Sequence, residues 1–416
     1  MNLIVICSDY PVGKGNAEAS LLKFQLNSIE NIFKNIILLP TVSLRKKDVI
    51  SGLNHTIIYN FRRFRLQSFF DFFLNIHYLL NDIIKIKINE YIIFSIFNSF
   101  TAYLKSIYLY SFLKNYIKSQ NLNNNVAIYS FWFGDATLGA IMLKKKYPSL
   151  IVFSGAHGYD LFEERHPGNR IPFRQVSLNL IDKVIVCSSE GISYLEDRYN
   201  QYKNKFKLVN SGVRKKNKMV KSSKDGIFRI LTLSRTDPIK RLAYLLKSLK
   251  KIEGFSEFKI EYCHIGGDHK SGEQELQKLK KLSKELNFKW FKVKFLGKIS
   301  DDELNHYFKN SIIDVFLNVS SSEGTCLSLV EAMSYSIPVV VTAVGGNISI
   351  GNISNTRLNV NFSPYELYEY LRKINNDKEY REKLKSNSYK YWFSNHNSET
   401  LSSEINDIFK MICSPT

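Results

Sequence analysis

From residue 226 onward, short runs of β-branched and apolar residues alternate with stretches whose apolar positions recur every three or four residues. The runs 228–234, 259–265, 293–296, 314–319 and 338–342 are too short for helices and nearly continuous in apolar character, so they read as buried strands. The stretches 239–252, 274–286, 303–309 and 327–335 carry the helical spacing between them. Such alternation predicts a doubly wound parallel sheet. The first half is less regular, but 3–7, 36–39, 126–131, 151–153, 184–187 and 207–209 also read as buried strands with helical stretches between them. Two Rossmann-like α/β domains follow. The polar, basic stretch 214–226 has no apolar period and is read as the hinge between residues 1–213 and 227–388. Residues 389–412 have helical spacing, so 389–416 is expected to return as a C-terminal helix onto the first domain.

A chain of 416 residues is past the size at which one core stops growing, which agrees with two domains and makes a cleft between them the expected ligand site. The first seven residues lack a basic leader and a cleavage site and read as a first buried strand instead of a signal peptide. Cys7, Cys187, Cys263, Cys326 and Cys413 are odd in number, widely spaced and without a C-x-x-C pair, which predicts reduced cytosolic thiols and no metal site. The net charge of +20 calls for an anionic partner: nucleic acid, an anionic membrane face or a phosphorylated substrate. The basic residues are spread over many helices and no helix-turn-helix, zinc-finger or RNP signature is present, so no specific nucleic acid partner is expected. Residues 66–117 are rich in Phe, Tyr, Ile and Leu, but Lys85, Lys87, Glu90 and Asn98 interrupt them before a run of about 20 residues can cross a bilayer. They read as core helices, with an amphipathic stretch lying on a membrane surface as the alternative.

The chemistry concentrates in the second half. Ser322-Glu323-Gly324-Thr325-Cys326-Leu327-Ser328-Leu329-Val330-Glu331 places a small-residue loop between a strand end and a helix start, where free N–H groups and the helix dipole favour an anion such as a diphosphate. Glu323 in the loop and Glu331 in the helix would accept hydrogen bonds from sugar and ribose hydroxyls. Alternatively, Ser328-x-x-Glu331 is a capping box and Glu331 only bonds back to the helix start. In Ser234-Arg235-Thr236-Asp237-Pro238-Ile239-Lys240, Asp237 is a good N-cap and Pro238 suits the first helical position. Arg235 and Lys240 would then set two cations beside a helix N-terminus, an arrangement that opposes the dipole unless an anion lies between them.

These motifs closely resemble the donor site of the retaining GT-B glycosyltransferases of family 4, densely over residues 228–346 and patchily before 126 and after 351. The resemblance implies two Rossmann-like doubly wound domains facing across a cleft. It implies Glu323 at the donor sugar, Glu331 on the ribose, Gly324, Thr325, Cys326 and Leu327 holding phosphate and sugar through their backbone, and Arg235 and Lys240 clamping the diphosphate. Gly266 in the turn His264-Ile265-Gly266-Gly267, and Lys298 with Ile299, resemble segments near the nucleotide. Gly13 and Gly15 lie in a loop resembling one that enters the cleft in polysaccharide-assembly members, with Lys14 beside the acceptor. His157 resembles a histidine held against the donor sugar, while Asp160 either meets the acceptor or caps the next helix. The family's pattern departs at Ser234, usually Gly, and at Ser349, where a Glu is usual.

The expected activity is therefore retaining transfer of a UDP- or GDP-linked sugar to a lipid-linked saccharide in O-antigen or capsule assembly. The catalytic residues are His157, Arg235, Lys240 and Glu323, and no D-x-D motif is present, so the cations replace a metal and no cofactor is expected. The basic charge and the aromatic-rich first domain place the enzyme in the cytoplasm, peripheral on an anionic plasma-membrane face. The rival is a non-catalytic nucleotide-sugar-binding protein of the same fold, with Ser349 marking lost chemistry.

Overall fold

The computed structural model describes residues 1–8, 10–11, 17–42, 49, 55–59, 66–122, 125–216, 219–267 and 274–414, with only the backbone of 17, 66, 67 and 354. They form two compact units, Met1–Asn210 with Ser402–Thr416, and Ser211–Leu401. The first is built on a seven-stranded sheet of β1 (Asn2–Cys7), β2 (Asn35–Pro40), β3 (Thr56–Ile57), β4 (Val126–Ser130), β5 (Ile151–Ala156), β6 (Lys183–Val186) and β7 (Phe206–Leu208). Its strands are parallel, in the order β3-β2-β1-β4-β5-β6-β7. The second unit has a parallel six-stranded sheet of β8 (Ile227–Leu233), β9 (Lys259–Ile265), β10 (Lys292–Gly297), β11 (Val315–Asn318), β12 (Val339–Thr342) and β13 (Arg357–Leu358), in the order β10-β9-β8-β11-β12-β13. In both, the chain moves outward over its first three strands and then crosses back to the other side of the first, so the switch point lies between β1 and β4 and between β8 and β11. Loops leaving the carboxyl ends of those strands diverge and open a crevice, the usual ligand position in such sheets.

The apolar runs become central strands because helices cover both sheet faces. All six residues of β1 are buried. The edge strand β10 instead alternates between exposed and half-buried positions. The sequence pattern misses β3 and β13, two-residue edge strands too short to carry a period.

Two boundaries differ from the sequence expectation. Residues 214–226 lie wholly within the second unit: Val220 is buried and Lys221 forms a bridge to Ile312. The helical pattern of 389–412 is two helices, Lys378–His396 and Ser398–Cys413, broken at the extended Asn397. The break is made by Val213, whose N–H donates to the His396 carbonyl (2.8 Å) and whose carbonyl accepts the Ser398 N–H (3.2 Å). From Ser402 onward the last helix belongs to the first unit. There Ile405, Phe409 and Ile412 join the core on one face of the sheet, with Phe409 edge-on to Tyr129 (5.7 Å) and Phe153 (5.3 Å).

Residues 66–117 form the helices Leu66–Leu74, Ile76–Ile83 and Ile92–Ser119. The last begins after Glu90 and holds only Lys105 and Lys114 before Lys118, so by length and composition it is apolar enough to cross a membrane, contrary to the sequence expectation. Its second half is nevertheless core: Ile107, Leu109, Leu113 and Ile117 are buried. Gly139 of helix Asp135–Lys146 lets the two helices touch, because a Cβ there would lie 2.7 Å from the Ser106 carbonyl oxygen.

Phe409→Ala leaves a cavity among Tyr129, Phe153 and Ile405, with an expected cost of about 3–5 kcal/mol to the first unit. Urea denaturation should show an earlier transition for this variant.

Candidate active site

Ser234, which follows β8, is held by its neighbours' backbones. Its N–H donates to the Ile265 carbonyl (3.1 Å) and the Thr236 N–H to that of Gly267 (3.3 Å), while Gly266 N–H donates to Gly297 (2.8 Å). Gly266 has φ +128°, and a Cβ on it would stand 1.8 Å from the Ser234 oxygen, so only glycine lets the two loops meet. The site role of Gly266 visible in the fold is thus to seat the loop that carries Arg235 and Lys240.

The sequence places a helix start at Asp237-Pro238. Instead Pro238–Lys240 is a single 3-10 turn, Arg241 is left-handed (φ +54°), and the helix runs Leu242–Glu253. Asp237 makes no side-chain cap; its carboxylate pairs with Arg235 at 2.6 Å. The Arg241 guanidinium lies over the Tyr244 ring (4.4 Å) and donates to the Val360 carbonyl, tertiary contacts that outweigh the local cap. Arg235 remains half exposed at the surface.

Lys240 points into the sheet's switch point. Its Nζ meets Glu323 Oε1 at 2.6 Å, both side chains being largely buried. The same oxygen accepts Ser320 Oγ–H (2.6 Å) and Asn318 Nδ2–H (3.1 Å). Ser321 N–H donates to the Ile239 carbonyl (2.8 Å), so backbone as well as side chains bind the β8 and β11 loops together. A small pocket at these strand ends is lined by Thr232, Ser234, Lys240, Asn318 and Ser320 among others. Burial disfavours each charge of the pair, yet each partner outweighs that penalty: Lys240 is held above the usual lysine range and Glu323 below the usual carboxylate range. The pair's contribution is complete between those ordinary ranges. It is lost as pH falls through the depressed Glu323 value or rises through the raised Lys240 value.

Glu331 occupies a separate pair. The helix Leu327–Ser334 has Cys326 as its N-cap, without a side-chain cap. Ser328 is therefore already inside the helix, and the capping box with Glu331 does not form. Glu331 meets Lys216 at 3.3 Å, and Lys216 also donates to Asn305 Oδ1 (2.9 Å) and lies over the Tyr335 ring at 5.2 Å. Burial pushes the Glu331 carboxyl up, and Lys216 only partly offsets it. The loop between the glutamates is tied to the next crossover by Gly346 N–H donating to the Gly324 carbonyl (3.0 Å). Gly324 and Cys326 are buried, and Thr325 and Leu327 half-buried. Lys298 is exposed and Ile299 half-buried after β10.

In the first unit, His157 leaves β5 and stacks on Phe131 (4.3 Å) with Trp132 edge-on (5.0 Å). Its Nδ1 is buried without a hydrogen-bond partner among the described residues, 3.7 Å from Asp160 Oδ2. Asp160 accepts the N–H of Phe133 (2.7 Å) and of His157 (2.8 Å), one on each oxygen. Burial works against its charge, but His157 and these donors hold its carboxyl below the usual range. Buried and engaged on both oxygens, Asp160 braces the β4 and β5 exits. Gly13, Lys14 and Gly15 lie outside the described residues. Sequence reasoning missed Lys216, hidden in a basic stretch, and Asn318 with Ser320. The signal for the latter was present: a polar residue closing the apolar run Val315-Phe316-Leu317.

Residues 213–391 match the family model of glycosyl transferases group 1. A search of curated protein sequences found no match. Among solved structures, sucrose-phosphate synthase from Thermosynechococcus elongatus is similar with a TM-score of 0.70 at 17% identity, over 99% of each chain. The lipopolysaccharide outer core galactosyltransferase WaaB, in its apo form, gives 0.68 at 16% identity over 99% of this chain and 100% of that one. Anabaena HepE, in complex with UDP and glucose, gives 0.65 at 14% identity over 98% and 99%. At these identities the likeness carries the fold. Residues 213–391 thus resemble a glycosyl transferases group 1 domain, and the two sheets have the GT-B arrangement of strands.

Proposed function

We propose that this chain is a retaining glycosyltransferase that moves a sugar from a UDP- or GDP-linked donor to a hydroxyl of a lipid-linked saccharide, in O-antigen or capsule assembly on the cytoplasmic face of the membrane. The observation that carries the reading is the buried Lys240–Glu323 pair at the switch point of the second sheet. The names of two similar structures support it: one is a lipopolysaccharide galactosyltransferase, another a complex with UDP and glucose.

In the reaction the bond from the anomeric carbon to the diphosphate oxygen breaks, the acceptor oxygen bonds that carbon, and the hydroxyl proton is released. Negative charge grows on the departing diphosphate. Lys240, already desolvated and fixed, stabilises that charge with little reorganisation, and the exposed Arg235 adds a second cation on the donor's arrival. The hydrogen bonds to Glu323 from described residues all end on Oε1, so Oε2 keeps its lone pairs for a sugar hydroxyl. Glu331 accepts the ribose hydroxyls, with Lys216 fixing its carboxylate. The backbone from Gly324 to Leu327, with Gly266, Lys298 and Ile299 on the neighbouring strand ends, lines the nucleotide. His157 is assigned to the reacting sugar, its ring held by Phe131, Trp132 and Asp160. No step assigned to these residues calls for a metal.

The deciding experiment measures nucleoside-diphosphate release from UDP-, GDP-, ADP- and dTDP-sugars with membrane extract as acceptor. One donor is expected to react, with Lys240→Ala lowering kcat by about 10²–10³-fold. Glu331→Ala, losing hydrogen bonds to a charged group worth about 1.5–3 kcal/mol, should raise donor KM roughly ten- to hundredfold. Silence across the panel, with nucleotide still bound, would make the chain a nucleotide-sugar-binding protein instead.

The raised pKa of Glu331 gives a pH signature. As pH falls from neutral, Glu331 takes up a proton before Glu323 does, so donor KM should climb on the acid side while kcat holds. Glu331→Gln should flatten that rise, as measured by donor titrations across the acid range.

A further inference from the structure

The helices Leu66–Leu74 and Ile76–Ile83 and the first half of Ile92–Ser119 expose apolar side chains while burying polar ones. Their inward faces carry buried polar groups beside core residues such as Leu79 and Tyr103. Ser95, Ser99, Ser106 and Ser111 of the long helix are buried. Ser99 Oγ–H donates to Asp82 (2.8 Å), which also accepts the Phe173 N–H (2.9 Å) and pairs with Arg170. Ser111 Oγ–H (2.6 Å) and Lys114 Nζ (2.5 Å) reach the buried Asp71. The outward side is apolar: Phe70, Phe73, Ile93 and Phe97 on the helices, and Ile84 and Ile88 in the connection before the long helix, are each more than half exposed. Tyr103 O–H donating to the Phe72 carbonyl (2.6 Å), with the Ser99–Asp82 bond, locks the three helices side by side, so these residues belong to one patch.

Soluble surfaces scatter single apolar side chains, and a contiguous patch of Phe and Ile marks an interaction site. The charges choose the occupant. Both aspartates of the three helices are buried and paired, so the exposed ionic groups between residues 66 and 105 are Lys85, Lys87, Glu90 and Lys105, the last paired with Asp135 at 3.4 Å. A second copy of this chain would set like charges against them, whereas anionic headgroups complement both these lysines and the net charge of +20. The geometry points to an anionic lipid bilayer as the partner of this patch, entered by the Phe and Ile side chains while Lys85 and Lys87 meet the headgroups. The long helix lies on the bilayer and does not cross it, because its second half is core of the first unit. The inference gives the proposed lipid-linked acceptor a surface to be met on, but its test uses neither donor nor acceptor, so it stands or falls apart from the reaction.

The full chain is sedimented with vesicles of phosphatidylcholine alone and of phosphatidylcholine mixed with phosphatidylglycerol. Partition into the mixed vesicles is expected, weaker on phosphatidylcholine alone. Phe70→Ser/Ile93→Ser/Phe97→Ser should lower it by more than about a hundredfold, from the apolar area no longer buried. Lys85→Glu/Lys87→Glu should lower it about fivefold or more per lysine. Phe97→Trp reports insertion directly: its emission should shift to the blue and be quenched by brominated acyl chains beyond the wild-type protein. Absent partition, a triple variant that binds like wild type, or an unquenched Trp at 97 would each overturn the proposal. So would a vesicle-free dimer in sedimentation velocity that the triple variant abolishes, since the patch would then pair with its own copy.

Discussion

The second unit is organised around the contact between Lys240 and Glu323. Parallel sheets leave their strand-end loops free to diverge where the chain changes direction, and β8 and β11 are the strands that flank that point. A buried ion pair across such a gap costs several kcal/mol of desolvation, recovered only when further hydrogen bonds complete it. Ser320 and Asn318 supply those bonds, and Ser321 ties its N–H to the Ile239 carbonyl beside the lysine. Breaking such a pair by deleting one partner leaves a bare buried charge, at a cost of about 3–5 kcal/mol. The site is thus preorganised by the same interaction that joins the two loops. Lys240 is a cation that has already lost its water.

That arrangement depends on contacts one strand further out. Gly266 must have no side chain for β9 to support Ser234, and its own N–H is fixed by Gly297 at the end of β10. Steric need therefore passes from the edge of the sheet to its centre: edge strand, glycine turn, cation loop. Glu331 is held by different means, through Lys216 from a stretch that lacks any periodic pattern. Two carboxylates eight positions apart thus sit in different electrostatic surroundings. Glu323 is more acidic than an ordinary carboxyl and Glu331 less so, because the first has a close lysine with two neutral donors and the second a more distant lysine.

The first unit divides its apolar surface in an uncommon way. The sheet and the helix Asp135–Lys146 receive the second half of Ile92–Ser119 as ordinary core. The first half of that helix turns serines toward Asp82 and leaves Ile93 and Phe97 outside. Hydropathy along the chain cannot distinguish the two halves, since both are rich in the same residues. The difference lies in what each half faces.

The sequence by itself determined both parallel sheets, almost every central strand and the strand-end segments that carry Lys240, Glu323 and Glu331. Continuous apolar runs between helical periods have few other solutions, and small-residue loops at strand ends have distinct composition. It did not determine the helix start at Leu242, the break at Asn397 or the partners of the two glutamates. Each of these depends on groups far apart in the chain: Arg241 on Val360, Asn397 on Val213, Glu331 on Lys216. Local propensity, worth about 1 kcal/mol for a helix cap, yields where a tertiary contact offers more. Only the folded chain decided which polar groups lie inside, and so which Phe and Ile were left for the surface.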